Sequence, residues 1–283
     1  MAGLESFSLY GALVTVVLTI ILAVLNFISE RRAVSVSIEK GKTKASTRNI
    51  TGVLTIIFST LVFIFLTLVI LARWIETGHG PFSNMYEFAV AFAWGTVLMG
   101  FFFQRRYKTG AFLNIGLFIA LLLLIFATVK HAQPEPLVPA LQQSVLLSVH
   151  VASAVVAYGT LTIGFGAAVL FLIQQKRKST LLPAADVLET VSYQSVIIGF
   201  PFLTALIILG ALWADIAWGR YWSWDPKETA SLVTWLVYAA YLHARLMRGW
   251  RGTKAAMLLI VGFAAILLTF FGNFIFTGMH SYK

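Results

Sequence analysis

Cysteine is absent from the 283 residues, and charge is scarce: Asp, Glu, Lys and Arg make up 11% of the chain. The first absence excludes disulfides, thiolate metal sites and thiol redox relays within this chain. The second excludes a soluble enzyme, because an ordinary soluble domain carries about 25% charged residues to coat its surface. It equally excludes a disordered chain, whose composition is polar and charged. Also missing is the alternation of polar and apolar residues that a membrane barrel requires. What is present is apolar: 59% of residues are hydrophobic and the mean hydropathy is +0.86. Lipid is the solvent this composition fits. The net charge of +10 then reads as membrane topology, not as a nucleic-acid footprint.

A bilayer-spanning helix needs about 20 apolar residues. Eight such runs are visible, near residues 7–28, 50–72, 85–103, 111–129, 145–173, 191–213, 229–247 and 255–276. The expected fold is an all-α integral membrane protein, one polytopic domain over 1–283 with about eight transmembrane helices. The first run is too long, and too weakly basic at its start, for a secretory signal peptide, so it is read as a span. Four alternate connections carry Arg31, Arg32, Lys40, Lys42, Lys44 and Arg48; Arg105, Arg106 and Lys108; Lys176, Arg177 and Lys178; Arg245, Arg248, Arg251 and Lys254. These are 16 of the 21 basic residues. The positive-inside rule assigns them to the cytoplasm, which leaves both chain termini outside.

Five of the eight tryptophans (Trp213, Trp218, Trp222, Trp224 and Trp235) fall within 23 residues. Most lie in the external connection between spans six and seven, delimited as 214–228. An interfacial aromatic belt places one or two tryptophans at a helix end. The dense run here also suits a platform for a large flat apolar ligand with polar edges. Indole faces supply stacking area at small entropic cost. Gly219 would allow close backbone approach, and Arg220 and Lys227 would pair with carboxylates on the ligand's rim. Asp225, before Pro226, is read either as a helix N-cap or as part of the ligand platform.

An imidazole inside a span marks a functional candidate. His150 lies about two turns below the outer end of span five, and His280 just beyond the outer end of span eight. Both fall near the level of the tryptophan loop, which points to axial ligation of a haem iron. His243 sits at the inner end of span seven, where a histidine also complements the helix dipole without any ligand. His79 and His131 lie in outer loops and read as solvated or structural. Glu87, at the start of span three, reads as a partner for Arg73 or as part of the cavity wall.

The run Trp218-Gly219-x-x-Trp222-x-Trp224-Asp225-x-Lys227-Glu228-Thr229, with Trp235-Leu236 and Tyr241-Leu242-His243-x-Arg245 after it, resembles the WWD signature of haem-handling membrane proteins. Within that class the chain resembles the CcsA (ResC) family of system II cytochrome c synthases. Gly78-His79-Gly80-Pro81-x-Ser83-Asn84-x-Tyr86-Glu87 is similar to that family's loop before span three. Gly278-Met279-His280-Ser281-Tyr282 is similar to its final histidine motif. The likeness extends over nearly the whole chain, including its size and span count.

The resemblance implies a haem-handling subunit that exports haem b (iron protoporphyrin IX) and presents it outside. There it would join the vinyl groups to the thiols of a Cys-x-x-Cys-His motif in an apocytochrome c. His150 and His280 would be the outer iron ligands, and His243 an inner ligand opposite one from a separate CcsB (ResB)-type subunit. The implied activity is a holocytochrome c synthase, or haem lyase, working with that partner. No acid or base is nominated, because thioether formation depends chiefly on positioning. Two other readings stay open: a haem exporter or chaperone that leaves the ligation to another protein, and a membrane b-type electron-transfer cytochrome. The implied location is a bacterial cytoplasmic membrane or a thylakoid membrane, with the tryptophan loop outside.

Overall fold

The structure is a computed structural model and describes residues 2–39, 50–80, 83–130 and 144–275. Among these residues the only regular elements are eight helices. They are α1 (Ala2–Glu39), α2 (Ile50–Thr77), α3 (Met85–Tyr107), α4 (Ala111–Val129), α5 (Ser144–Arg177), α6 (Ala185–Trp218), α7 (Pro226–Met247) and α8 (Thr253–Ile275). Seven are long and apolar enough to cross a membrane; the exception is α7. Its 22 residues still reach about 33 Å at 1.5 Å per residue. The expected all-α membrane bundle is therefore the fold.

Most of the helices outrun the apolar stretches that announce them. A span ends where hydrocarbon ends, but a helix ends only where its backbone is stopped. Thus α6 runs 34 residues, about 51 Å, against a hydrocarbon layer of about 30 Å. It continues through Ala214–Trp218 until Gly219, in the left-handed region at φ 71°, closes it with its N–H on the Asp215 carbonyl. The segment 214–228 accordingly divides into a last turn of α6, a connection of 219–225 and the first turn of α7.

Helix α3 is the hub and belongs to both apolar cores. On one side Val90 and Val97 pack with Leu9, Val16, Val62, Leu66, Leu117 and Leu124 of α1, α2 and α4. On the other, Phe92 and Met99 pack with Leu161, Leu203, Leu259 and Phe263 of α5, α6 and α8. Small residues let the backbones close in, as they do between membrane helices generally. A Cβ on Gly159 of α5 would sit 2.8 Å from the Gly95 carbonyl oxygen of α3, and one on Gly116 of α4 would sit 2.5 Å from that of Thr96.

One end of the bundle gathers the α1 start, the α2–α3 turn, the α5 start, the α6–α7 connection and the α8 end. A buried ion network ties part of it together. The Arg73 guanidinium of α2 donates to Glu87 of α3 at 2.8 Å and to Glu5 of α1 at 3.3 Å, and the Tyr86 hydroxyl donates to Glu5 at 2.7 Å. Glu87 thus takes the structural partner proposed for it, Arg73. The opposite end carries Arg105, Arg106, Lys176, Arg177, Arg245, Arg248 and Arg251, at the ends of α3, α5 and α7 and the start of α8. There Arg245 pairs with Glu189, closing α7 onto α6.

Candidate ligand-binding site

The connection after α6 folds against itself before it can present anything. Asp225 is buried and caps α7, its carboxylate accepting from the Lys227 backbone N–H at 2.9 Å. Glu228 completes the reciprocal cap by accepting the Asp225 N–H at 3.2 Å, and it also accepts the Ser223 N–H at 2.8 Å. Two carboxylates are thus used in fixing the loop. Trp224 stands between Ser223 and Asp225, the two residues whose N–H groups Glu228 accepts, at φ 60°, a left-handed conformation uncommon for residues other than glycine. Its indole is 69% exposed and meets Trp222 edge to face at 5.8 Å.

Beneath this loop lies a cavity walled by α3, α5, α6, α7 and α8. Phe88, Phe92, Tyr158, Trp213, Tyr221, Trp222 and Phe270 supply an aromatic lining, and His150 and Lys227 supply the nitrogen groups. The Lys227 ammonium lies 5.5 Å over the Phe88 ring, and none of the ion pairs among the described residues includes it. Burial pushes this ammonium below the ordinary lysine value, and the nearby Asp225 charge offsets part of that. A carboxylate entering the cavity would meet an ammonium that none of the ion pairs among the described residues engages.

His150 is the cavity's best-defined polar group. Its Nδ1 lies 2.9 Å from the Leu206 carbonyl oxygen of α6. A carbonyl only accepts, so Nδ1 carries the proton and the lone pair of the neutral ring is on Nε2. That is the arrangement of a metal-ligating histidine, whose second nitrogen donates to a carbonyl or carboxylate. An aromatic slot with one such imidazole and one ammonium can hold a large flat ligand that carries both a metal and a carboxylate.

Not every expected residue meets here. Trp222 and Lys227 line the cavity with His150. Trp218 instead packs edge to face on Trp213 at 4.8 Å, behind the lining, and Arg220 is exposed outside it. Gly219 serves as the α6 cap, and nothing lies within 4 Å of where its Cβ would be. His243 is exposed on α7, 16 residues and about 24 Å beyond Lys227. His280 and His131 lie outside the described residues, and His79 is buried in the α2–α3 turn with Nδ1 on the Gly80 carbonyl at 2.8 Å. Trp213, counted in the tryptophan run, does line the cavity, but sequence reasoning missed Tyr158, Phe88 and Phe92 as wall residues, since an aromatic on an apolar helix has no pattern that separates wall from core. Ser83 and Asn84, which the sequence marks only through likeness to a family loop, both line the cavity.

Fold and site together define a class: an all-helical membrane protein with an aromatic cavity closed by a tryptophan loop. The family model described as "Cytochrome C assembly protein" matches residues 82–280. A cytochrome c biogenesis protein CcsA from Guillardia theta is 39% identical over 253 residues, covering 78% of this chain and 83% of that protein. A CcsA from Chlamydomonas reinhardtii is 42% identical over 229 residues, 77% of this chain and 65% of that one. A third, from Prochlorococcus marinus strain MIT 9301, is 39% identical over 256 residues, covering 78% and 82%. The chain belongs to the cytochrome c assembly family, as a CcsA-type member, and its role is in cytochrome c biogenesis.

Proposed function

We propose that this chain is the haem-handling subunit of a system II cytochrome c synthase, with haem b as its substrate. The observation that carries the reading is the His150 imidazole, fixed by the Leu206 carbonyl with its lone pair on Nε2, at an aromatic cavity that also holds Lys227. His150 and His280 would hold the iron. Trp222 and Trp224 would present indole surface to the macrocycle, and Lys227 would pair with a propionate. Haem supplies the iron and the two vinyl groups that become thioethers with the Cys-x-x-Cys-His thiols of an apocytochrome c. The chain's own contribution is to bind, to set the rotation of the ring and to keep water from its faces, which is catalysis by positioning.

The orientation supports delivery to the far side of the membrane. Basic residues crowd the end away from the cavity, so the positive-inside rule puts the cavity, the tryptophan loop and both termini outside. At the cytoplasmic end His243 lies in an exposed apolar stripe of α7, with Val233, Leu236 and Met247. The spacing of this stripe is that of a helix–helix seam. A bare imidazole in such a stripe is costly in lipid. A CcsB-type subunit covering it and donating a second ligand would make it an inner haem site.

The deciding measurement is the visible absorption spectrum of the complex co-purified with its partner. The His150→Ala, His280→Ala double variant should lose the low-spin haem signal of the outer site, and imidazole in the buffer should return it. His243→Ala should lower total haem while sparing that signal. Unchanged spectra in both variants would remove haem ligation from the reading. The tryptophan loop would then be the aromatic belt of an ordinary transporter.

A further inference from the structure

Helices α5 and α6 run antiparallel in close contact. Gly164 abuts Ser195, Gly199 abuts Leu161, and Gly210 abuts His150. The last contact differs from the others in what it touches. A Cβ on Gly210 would lie 2.9 Å from Cε1 of the His150 ring and 3.3 Å from Nδ1, inside normal van der Waals separation. The same ring bonds the Leu206 carbonyl at 2.9 Å, and Leu206 is one helical turn before Gly210.

Helix geometry connects the two facts. Every Cα–Cβ bond of an α-helix tilts towards the N-terminus, so a side chain covers the turn before it. A side chain at 210 would therefore lean over the carbonyl at 206, whose acceptor capacity is only half used by the intrahelical N–H. Glycine leaves that carbonyl open to a donor from a neighbouring helix. We infer that Gly210 is a positioning residue for His150. By lacking a Cβ it exposes the Leu206 carbonyl, which holds the imidazole with Nδ1 protonated and Nε2 as the ligating atom.

This inference rests on the proposed haem ligation by His150, and the two can fail separately. The test uses the full chain with its partner and reads haem titration, the low-spin spectrum and the response to imidazole. Gly210→Ala should weaken haem binding at the cavity site by about 10–100-fold, the usual effect of losing a ligand's supporting hydrogen bond. It should also diminish the low-spin spectrum, with free imidazole restoring both.

Gly199→Ala is the control for crowding, since its Cβ would meet Leu161 at 2.8 Å in the same helix pair. It should lower the unfolding temperature with no response to imidazole. Gly210→Ala behaving like Gly199→Ala, or keeping wild-type affinity and spectrum, overturns the positioning role if His150→Ala still loses the signal. His150→Ala with wild-type haem binding overturns the underlying reading instead.

Discussion

Trp224 shows how much a single residue of this loop is asked to hold. Its backbone is in the left-handed region, which costs a non-glycine residue about 1–2 kcal/mol, while its indole stays largely exposed. Strain kept without burial is not explained by packing. Trp224→Gly and Trp224→Ala both remove the indole, but only glycine relaxes the backbone. In detergent unfolding, Trp224→Gly should be more stable than Trp224→Ala by about 1 kcal/mol, and both should lose haem retention at the cavity. Equal stabilities would remove the strain from the argument, and full haem retention would make the indole a belt residue. Lys227 gives a second prediction. Burial holds its pKa below the ordinary lysine value, so its charge is lost on the alkaline side earlier than a free lysine's. Haem affinity through a propionate should fall as pH rises through that depressed value. Folding stability should rise over the same interval, because the unfolded chain binds more protons there. Lys227→Arg should hold affinity high across that interval, and Lys227→Met should lower it below the depressed pKa and abolish the fall, meeting wild type on the alkaline side. A profile identical to wild type in Lys227→Met would take Lys227 out of the site.

At the scale of elements, close packing decides which glycines are indispensable. The Cβ positions of Gly159 and Gly11 are almost equally crowded, at 2.8 and 2.9 Å. The neighbours differ, however. Gly159 would press on the Gly95 carbonyl and the Thr96 backbone nitrogen, whereas Gly11 would press on the Phe65 ring. A ring can turn; a helix backbone has to translate. Gly159→Ala should therefore destabilise by about 1–3 kcal/mol, as overpacking does. It should also disturb the cavity, since α3 and α5 both wall it. Gly11→Ala gains helix propensity worth up to about 1 kcal/mol and should unfold no more easily than wild type. Equal losses in the two variants, measured by thermal unfolding in one detergent, would refute the distinction. This is also where the sequence was least legible. Apolar runs located all eight helices, and α4 came out at 111–129 in both readings. The overruns of α5 and α6 were hidden because polar turns beyond the hydrocarbon carry no periodic apolar mark. The pairing of Gly210 with His150 joins residues sixty positions apart, and no local pattern encodes it.

For the whole molecule, the informative quantity is the distribution of charge along the bundle axis. The sequence revealed it because the positive-inside rule needs only the order of spans and the lysines and arginines between them. It did not reveal the cavity, which five helices assemble from residues 83 to 270. The lack of native cysteine makes the orientation directly measurable. Glu76 and Arg251 are both exposed, at opposite ends of the bundle. In an otherwise unchanged chain, Glu76→Cys should react with a membrane-impermeant maleimide in intact cells. Arg251→Cys should react only after the membrane is opened. The reverse pattern would put the cavity in the cytoplasm, where haem could be received but not presented to an exported apocytochrome, and the synthase reading would fail with it. Labelling of both positions in intact cells would mean that this bundle does not separate its two ends across a sealed bilayer. The observed pattern therefore tests the direction of transfer before any haem chemistry is measured.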